Sequence, residues 1–257
     1  MHATVYTPSP DRAAGFTLIE LAIVLFILTL LLSSLLVPLT TQVDQRNISD
    51  TQQTLEDIKE ALVGFAINKG YLPCTDVTSG PGANDGVEDV GTTWGGSSTG
   101  ICVSNSAGNV PWVTLGLGAS DVWGNRFRYR VEANFARRSP ALPPPPTPFD
   151  LTSAANLNVC TTTACTTRLT SSTAGEGAVA IILSLGKNGL GAINASTGTA
   201  NPAPPAGSDE DENTGGNTYV SRTITPAGAT AGEFDDIVTW LGKYTLFQRM
   251  VAAGKLP

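Results

Sequence analysis

The chain has 257 residues and a formal net charge of −7, with 15 Lys and Arg against 22 Asp and Glu and a single histidine. That balance excludes nucleic acid as the main partner, because phosphate binding needs clustered cations. Only 14% of residues are charged while Gly and Pro number 27 and 17, a composition suited to a loop-rich exported domain.

In chain order, the first strong feature is apolar. From Leu21 to Val43 there is no charged residue. About 20 apolar residues suffice to cross a bilayer as a helix, so 16–43 is predicted to be membrane-spanning. Glu20 stands at the edge of this run, where a carboxylate is costly and marks function. Pro38 removes one helical hydrogen bond and predicts a kink. Next, Ile48, Leu55, Ile58, Leu62 and Phe65 recur at helical spacing, with Asp44, Asp50, Glu56, Asp57 and Glu60 between them. This predicts an amphipathic helix over 44–69 with one face on a core and Gly70 as its C-cap.

The remainder reads as strands separated by loops. Residues 75–100 are loop-like, and Trp112–Leu115 is a short apolar patch. Asp121–Asn125 reads as a turn before an alternating strand, Phe127–Val131. Pro140–Pro148 fits neither helix nor inner strand. Thr152–Ala174 reads as an irregular excursion. Ala178–Leu185 is a continuous apolar run, expected to be a central, covered strand. Residues 194–216 are loop. Tyr219–Thr223 and Asp236–Trp240 are further strands, and Tyr244, Phe247, Met250 and Val251 space as a short helix closed by Gly254. One long helix followed by strands gives an α+β fold, a helix packed on an antiparallel sheet with a loop-rich head over 44–257.

All four cysteines, Cys74, Cys102, Cys160 and Cys165, lie beyond the apolar run. An even count in an exported domain favours disulfides. Of the three pairings, Cys74–Cys102 and Cys160–Cys165 join nearest neighbours and are expected. A zinc site is disfavoured, because there is no CxxC and the histidine is His2.

Gly15-Phe16-Thr17-Leu18-Ile19-Glu20 resembles the processing site of type IV prepilins and of the pseudopilins of type II secretion. The resemblance implies a leader peptide over 1–15. It implies cleavage between Gly15 and Phe16 by a prepilin peptidase, which also N-methylates Phe16, and a pilin-like fold. It assigns Glu20 to assembly, paired with the Phe16 amine of a neighbouring subunit. The implied partners are that peptidase and methyltransferase, other pilin subunits and the inner membrane, with a single pass and a periplasmic head before incorporation into a filament.

Three further patches are similar to the major pseudopilin of type II secretion. Asp121-Val122-Trp123-Gly124-Asn125 has valine where that family has proline. Ser184-Leu185-Gly186-Lys187-Asn188-Gly189 has asparagine for aspartate, and Asp235-Asp236-Ile237-Val238-Thr239-Trp240 matches its ending. The chain departs in its length, in an insertion between Ala136 and Gly175, in its cysteines and in its C-terminal helix. A bulky head favours a minor subunit of a type IV pilus or type II secretion pseudopilus over a shaft-forming, calcium-binding major pseudopilin.

Asp209, Asp211, Glu212 and Asn213 lie in the part of the chain where the major pseudopilin binds calcium, and such oxygen-rich loops suit that ion. Asp85, Glu88 and Asp89 form a second acidic group. Asp235 and Asp236 are the remaining carboxylates for acid–base chemistry, but no Gly-x-Ser-x-Gly, P-loop or His-containing triad accompanies them. The expectation is a non-enzymatic subunit without a firm cofactor. A membrane-anchored periplasmic module that binds a ligand or surface is the alternative.

Overall fold

The computed structural model describes residues 15, 17–80, 82–91, 101–103, 107–136 and 149–256, without the side chains of 33–40, 91 and 101. The expected leader through Ala14, Phe16, Trp94 and the proline-rich stretch 140–148 lie outside the described residues. The chain divides into two compact units, Met1–Arg46 and Asn47–Pro257.

Helix α1, Leu18–Lys69, runs through position 38. It stops at Gly70, whose φ of 84° leaves the helical region and whose N–H donates to Ala66 O at 2.7 Å. Between Leu21 and Leu32 its side chains are apolar on every side except at Thr29, and all are exposed. Leu30, Leu31 and Leu32 are consecutive and each more than half exposed. Among the described residues no helix is long and apolar enough to cross a membrane, and the side chains of 33–40 fall within the apolar run.

The second unit contains the rest. Its elements are β1 Val90–Gly91, β2 Ile101–Cys102, β3 Gly108–Asn109, α2 Trp112–Leu115, β4 Arg128–Val131 and β5 Asn158–Cys160. They continue with β6 Ala178–Ser184, α3 Asp209–Glu212, β7 Thr218–Val220, β8 Ile237–Gly242 and α4 Lys243–Ala252. Strands β3, β4, β6 and β8 form an antiparallel sheet in that order. Helix plus antiparallel sheet is the α+β architecture expected.

Strand β6 is the middle of the head. Ile182 lies opposite Tyr129 on one side and Thr239 on the other, and all seven residues of the strand are buried. A strand covered on both faces has no need of polar alternation, which explains the continuous apolar run. Val179, Ala180 and Ile182 join the cluster that holds Leu55, Ile58, Leu62 and Ala66 of α1. Ala178, Ile181 and Leu183 join a second cluster with Leu157, Val159 and Tyr219. The register shifts between Ala178 and Ala180, a bulge in the pairing with β8.

The second cluster corrects one reading. The excursion expected to be irregular contains β5, which pairs in parallel with β7, Val159 opposite Tyr219. Three residues are too few for periodicity to register, and their partner lies far along the chain. The apolar patch Trp112–Leu115 forms a helical turn. In α4 the buried face is Lys243, Leu246, Phe247 and Met250, while Tyr244 is 59% exposed. Phe247 stacks with Phe135 and Phe149, ring centroids 5.9 and 6.2 Å away, and so closes the helix onto the core.

Cys74 is bonded to Cys102 and Cys160 to Cys165, with Cα separations of 5.2 and 5.0 Å. The first bond spans 28 residues and the second 5. Closing a longer loop removes more entropy from the unfolded chain. Replacing Cys74 and Cys102 by Ala is therefore expected to cost about 3–4 kcal/mol, and replacing Cys160 and Cys165 about 2 kcal/mol, in urea denaturation of the oxidised chain.

Candidate functional site

Two regions hold the residues singled out in the sequence. The first is the start of α1. Glu20 N–H donates to Thr17 Oγ1 at 3.3 Å, and Thr17 N–H and hydroxyl donate to Glu20 Oε2, both at 3.0 Å. This reciprocal pair is a capping box, Thr-x-x-Glu, which satisfies helix-end donors that would otherwise be orphaned. Thr17 carries this role and was not singled out, although its spacing to Glu20 is the signature of that motif. Glu20 is exposed, and the residues around it are apolar and exposed too. Gly15 is described and exposed, whereas Phe16 is outside the described residues.

The second region lies where β6 ends, and the three short patches meet there. Asp121 is 7% exposed and acts as a hub. Its Oδ1 accepts from the N–H of Trp123 and Asn125 at 3.0 and 2.9 Å, and its Oδ2 accepts from the Ser184 hydroxyl at 2.6 Å. Burial pushes the Asp121 carboxyl up, and these hydrogen bonds pull it back in part. Asn125 donates to Gly186 O at 3.4 Å, and Asn201 donates to both Asn125 Oδ1 and Gly189 O. The turn before β4 is thereby fastened to the turn after β6.

The turn after β6 then meets Asp235 and Asp236. Asn188 N–H donates to Asp235 Oδ2 at 2.8 Å, and the Asn188 amide donates to Glu210 Oε1 at 3.1 Å. Asp235 N–H also donates to Glu210 Oε1, and the Asn213 amide donates to Asp236 Oδ2 at 2.8 Å. Glu210, Asp235 and Asp236 bring carboxylate oxygens within 4.8 Å of one another, the one such group among the described residues. Glu210 and Asp236 are 2% and 4% exposed.

Three carboxylates so close repel, and their described hydrogen-bond donors are amides. Burial first, then the charge of Glu210, raises the Asp235 carboxyl to about 6, and burial lifts Asp236 well above its ordinary value. Asp235 Oδ1 is buried with no hydrogen-bond partner. Gly186 has a φ of 64°, and a Cβ there would collide with Asp235 Oδ1. A cavity of about 310 Å³ opens beside Glu210, between Ser208, Arg222 and Glu233. An orphaned oxygen among mutually repelling carboxylates is a donor set that fits a hard divalent cation.

The calcium ligands read from the sequence are not the ones that meet. Asp209 pairs with Arg222 at 2.7 Å and accepts Thr163 N–H at 3.0 Å. Asp211 accepts Gly207 N–H at 2.8 Å, across the turn that Ser208 caps. Asn213 fastens β7, accepting Val220 N–H at 2.7 Å and donating to Val220 O at 3.0 Å. Glu212 belongs to α3 but not to the converging group. One helical turn spreads its four acidic residues around its axis, so only Glu210 faces Asp235 and Asp236. Of the acidic residues in this segment, Glu210 is the one that turns inward to Asp235 and Asp236.

A capped helix whose latter part packs on a four-stranded antiparallel sheet is an arrangement consistent with a pilin-like fold. Residues 10–36 match the prokaryotic N-terminal methylation motif. The chain is 33% identical over 97 residues to the type IV narrow pilus major component PilA5 of Thermus thermophilus, covering 37% of this chain and 81% of that protein. The chain belongs to the type IV pilin-like family and is a structural subunit of that kind. No solved structure matches it.

Two substitutions test the second region. Gly186→Ala must adopt a left-handed backbone and displace Asp235, and is expected to cost about 2 kcal/mol or more in chemical denaturation. A carboxyl raised in the folded state favours folding while it is protonated, and that contribution is lost as pH rises through its folded value of about 6. In chelator, Asp235→Asn is therefore expected to raise the melting temperature near neutral pH. At about pH 4 it should leave the melting temperature nearly unchanged.

Proposed function

We propose that the chain is made as a prepilin, cut between Gly15 and Phe16, methylated on Phe16 and built into an envelope-spanning filament as a minor subunit. The observation that carries this reading is the motif match over 10–36 together with the exposed, all-round apolar start of α1. Such a surface is buried either in lipid or against equivalent helices. Before assembly α1 anchors the subunit in the inner membrane with the head on the periplasmic side. In the filament Glu20 exchanges its contact with Thr17 for the Phe16 amine of a neighbour, because an amine and a carboxylate in an apolar core must be paired.

The minor role is supported by proportion. PilA5 is named a major pilus component, and its match accounts for 81% of that protein but 37% of this chain. Most of this chain therefore lies outside the match to that protein. The filament is a type IV pilus or a type II secretion pseudopilus.

In the head, Glu210, Asp235 and Asp236 would hold a divalent cation of the calcium class. The ion would supply positive charge between the turn after β6, α3 and the entry to β8. Asn188 and Asn213 orient the carboxylates toward it.

Mass spectrometry of the N-terminus tests the proposal. Phe16 as first residue, carrying one methyl group, is the expected result. An intact Met1, or cleavage beyond the apolar run, refutes it. Glu20→Ala is expected to be cut normally yet to enter sheared filaments roughly tenfold less, as loss of a buried charge pair implies. Normal incorporation would remove Glu20 from assembly.

A further inference from the structure

The sheet face away from α1 carries two cations that neither the filament reading nor the carboxylate group at Glu210 uses. Arg128 and Arg130 stand two residues apart in β4, so their side chains leave the same face of the strand. Opposite them in β6 are Leu183 and Ile181. Directly opposed residues share a face, and both Leu183 and Ile181 pack in the cluster that holds Tyr219 of β7. The tips of the two arginines reach the segment that enters β7. Arg128 Nη2 donates to Thr214 O at 3.0 Å, and Arg130 Nη2 donates to Asn217 Oδ1 at 2.8 Å. Asn217 stands two residues before Tyr219.

These side chains have donors left over. Arg128 is 7% exposed, and Tyr219 has no exposure. Arg128 Nε, Arg130 Nε, Arg130 Nη1 and the Tyr219 hydroxyl are buried, and none has a hydrogen-bond partner among the described residues. Burial pushes the Tyr219 hydroxyl up to about 12, so it keeps its proton and remains a donor. Neither arginine forms an ion pair among the described residues. Two carboxylates belong to the surroundings. Glu132, two residues beyond Arg130, accepts Asn156 N–H at 3.2 Å. Glu212 bears on Tyr219 through its charge, without pairing with either arginine. Residues 92–100, 104–106 and 137–148, which lie outside the described residues, include no Asp or Glu.

We propose that Arg128, Arg130 and Tyr219 bind a compact anion of the halide class, with chloride as its ordinary occupant. The four unpartnered groups are all donors, the converse of the carboxylates at Glu210. Buried charges are paired in stable folds, and two guanidiniums sealed side by side call for negative charge between them. A halide takes several donors on one atom. Phosphate or sulfate brings several oxygens, more than these donors could satisfy, and a buried oxygen left without a partner is costly. Bound there, the anion joins β4 to β7 and holds the β5 and β7 layer over Ile181 and Leu183.

The test uses the full chain in detergent with chelator present, so that divalent cations do not contribute. Melting is followed by tryptophan fluorescence as sodium gluconate is replaced by sodium chloride at constant ionic strength. Wild type should melt higher as chloride rises, with the gain that binding to the folded state alone produces. Tyr219→Phe keeps the ring in its cluster and removes one unpartnered hydroxyl. It should melt at or above wild type in gluconate, since a buried donor without a partner is costly, and its apparent chloride affinity should fall roughly tenfold. Arg130→Met should lose the chloride response. Glu212→Gln should keep it. Damage to the fold would lower melting in both salts alike, whereas loss of a bound anion narrows the gap between them. Equal melting of wild type in the two salts overturns the proposal. So does a full chloride response in Arg130→Met, or a response in Glu212→Gln reduced as far as in Tyr219→Phe.

Discussion

The burial of β6 on both faces is the constraint from which the head follows. A strand with seven buried residues needs a layer on each side. The second half of α1 supplies one, through Leu55, Ile58, Leu62 and Ala66. The parallel pair β5 and β7 supplies the other, through Val159 and Tyr219. Each layer buries side chains that would otherwise face water, at about 25 cal/mol per Å² of apolar surface. Uncovering either face would leave Ile182 or Ile181 exposed. In the excursion between β4 and β6, Leu157 and Val159 are therefore structural cover for the sheet.

Where β6 leaves this cover, its backbone and neighbours need polar partners. Asp121, Ser184, Asn125 and Asn188 satisfy the turns there. A buried polar network is favourable only when its members are satisfied. Here it is satisfied almost everywhere except at Asp235 Oδ1, where negative charge accumulates. Asn188, standing where the resembling pseudopilins carry aspartate, donates an amide to Glu210 and lowers the total charge of the cluster. A buried carboxylate oxygen without a hydrogen bond among the described residues occurs also at Asp76 Oδ1.

The fold was legible in the sequence wherever one periodicity ran long enough. The 3.6-residue spacing from Ile48 to Leu62 and the unbroken run from Ala178 marked the helix and the central strand. What periodicity could not give was pairing at a distance. Asn158–Cys160 is three residues long and finds its partner at Thr218–Val220, beyond β6 and α3. The site was half legible for a related reason. Acidic composition located the segment around residue 210, but whether Glu210 or its neighbours face inward depends on one turn of helix that composition does not orient.

Glu20 differs from these buried carboxylates in having a complete local partner. Thr17 supplies two donors to its carboxylate, so the isolated chain does not strain to keep it charged. Under the proposed assembly this matters for reversibility. A free carboxylate at the edge of an apolar helix would resist entering the membrane, whereas a capped one carries its hydrogen bonds with it. Transfer to a neighbour's amine then exchanges neutral donors for a cationic one, which adds Coulomb attraction between opposite charges to the hydrogen bond. The gain is largest where water is excluded, which is among packed helices. The same four residues that start the helix thus hold the carboxylate in readiness for the contact that would end its exposure.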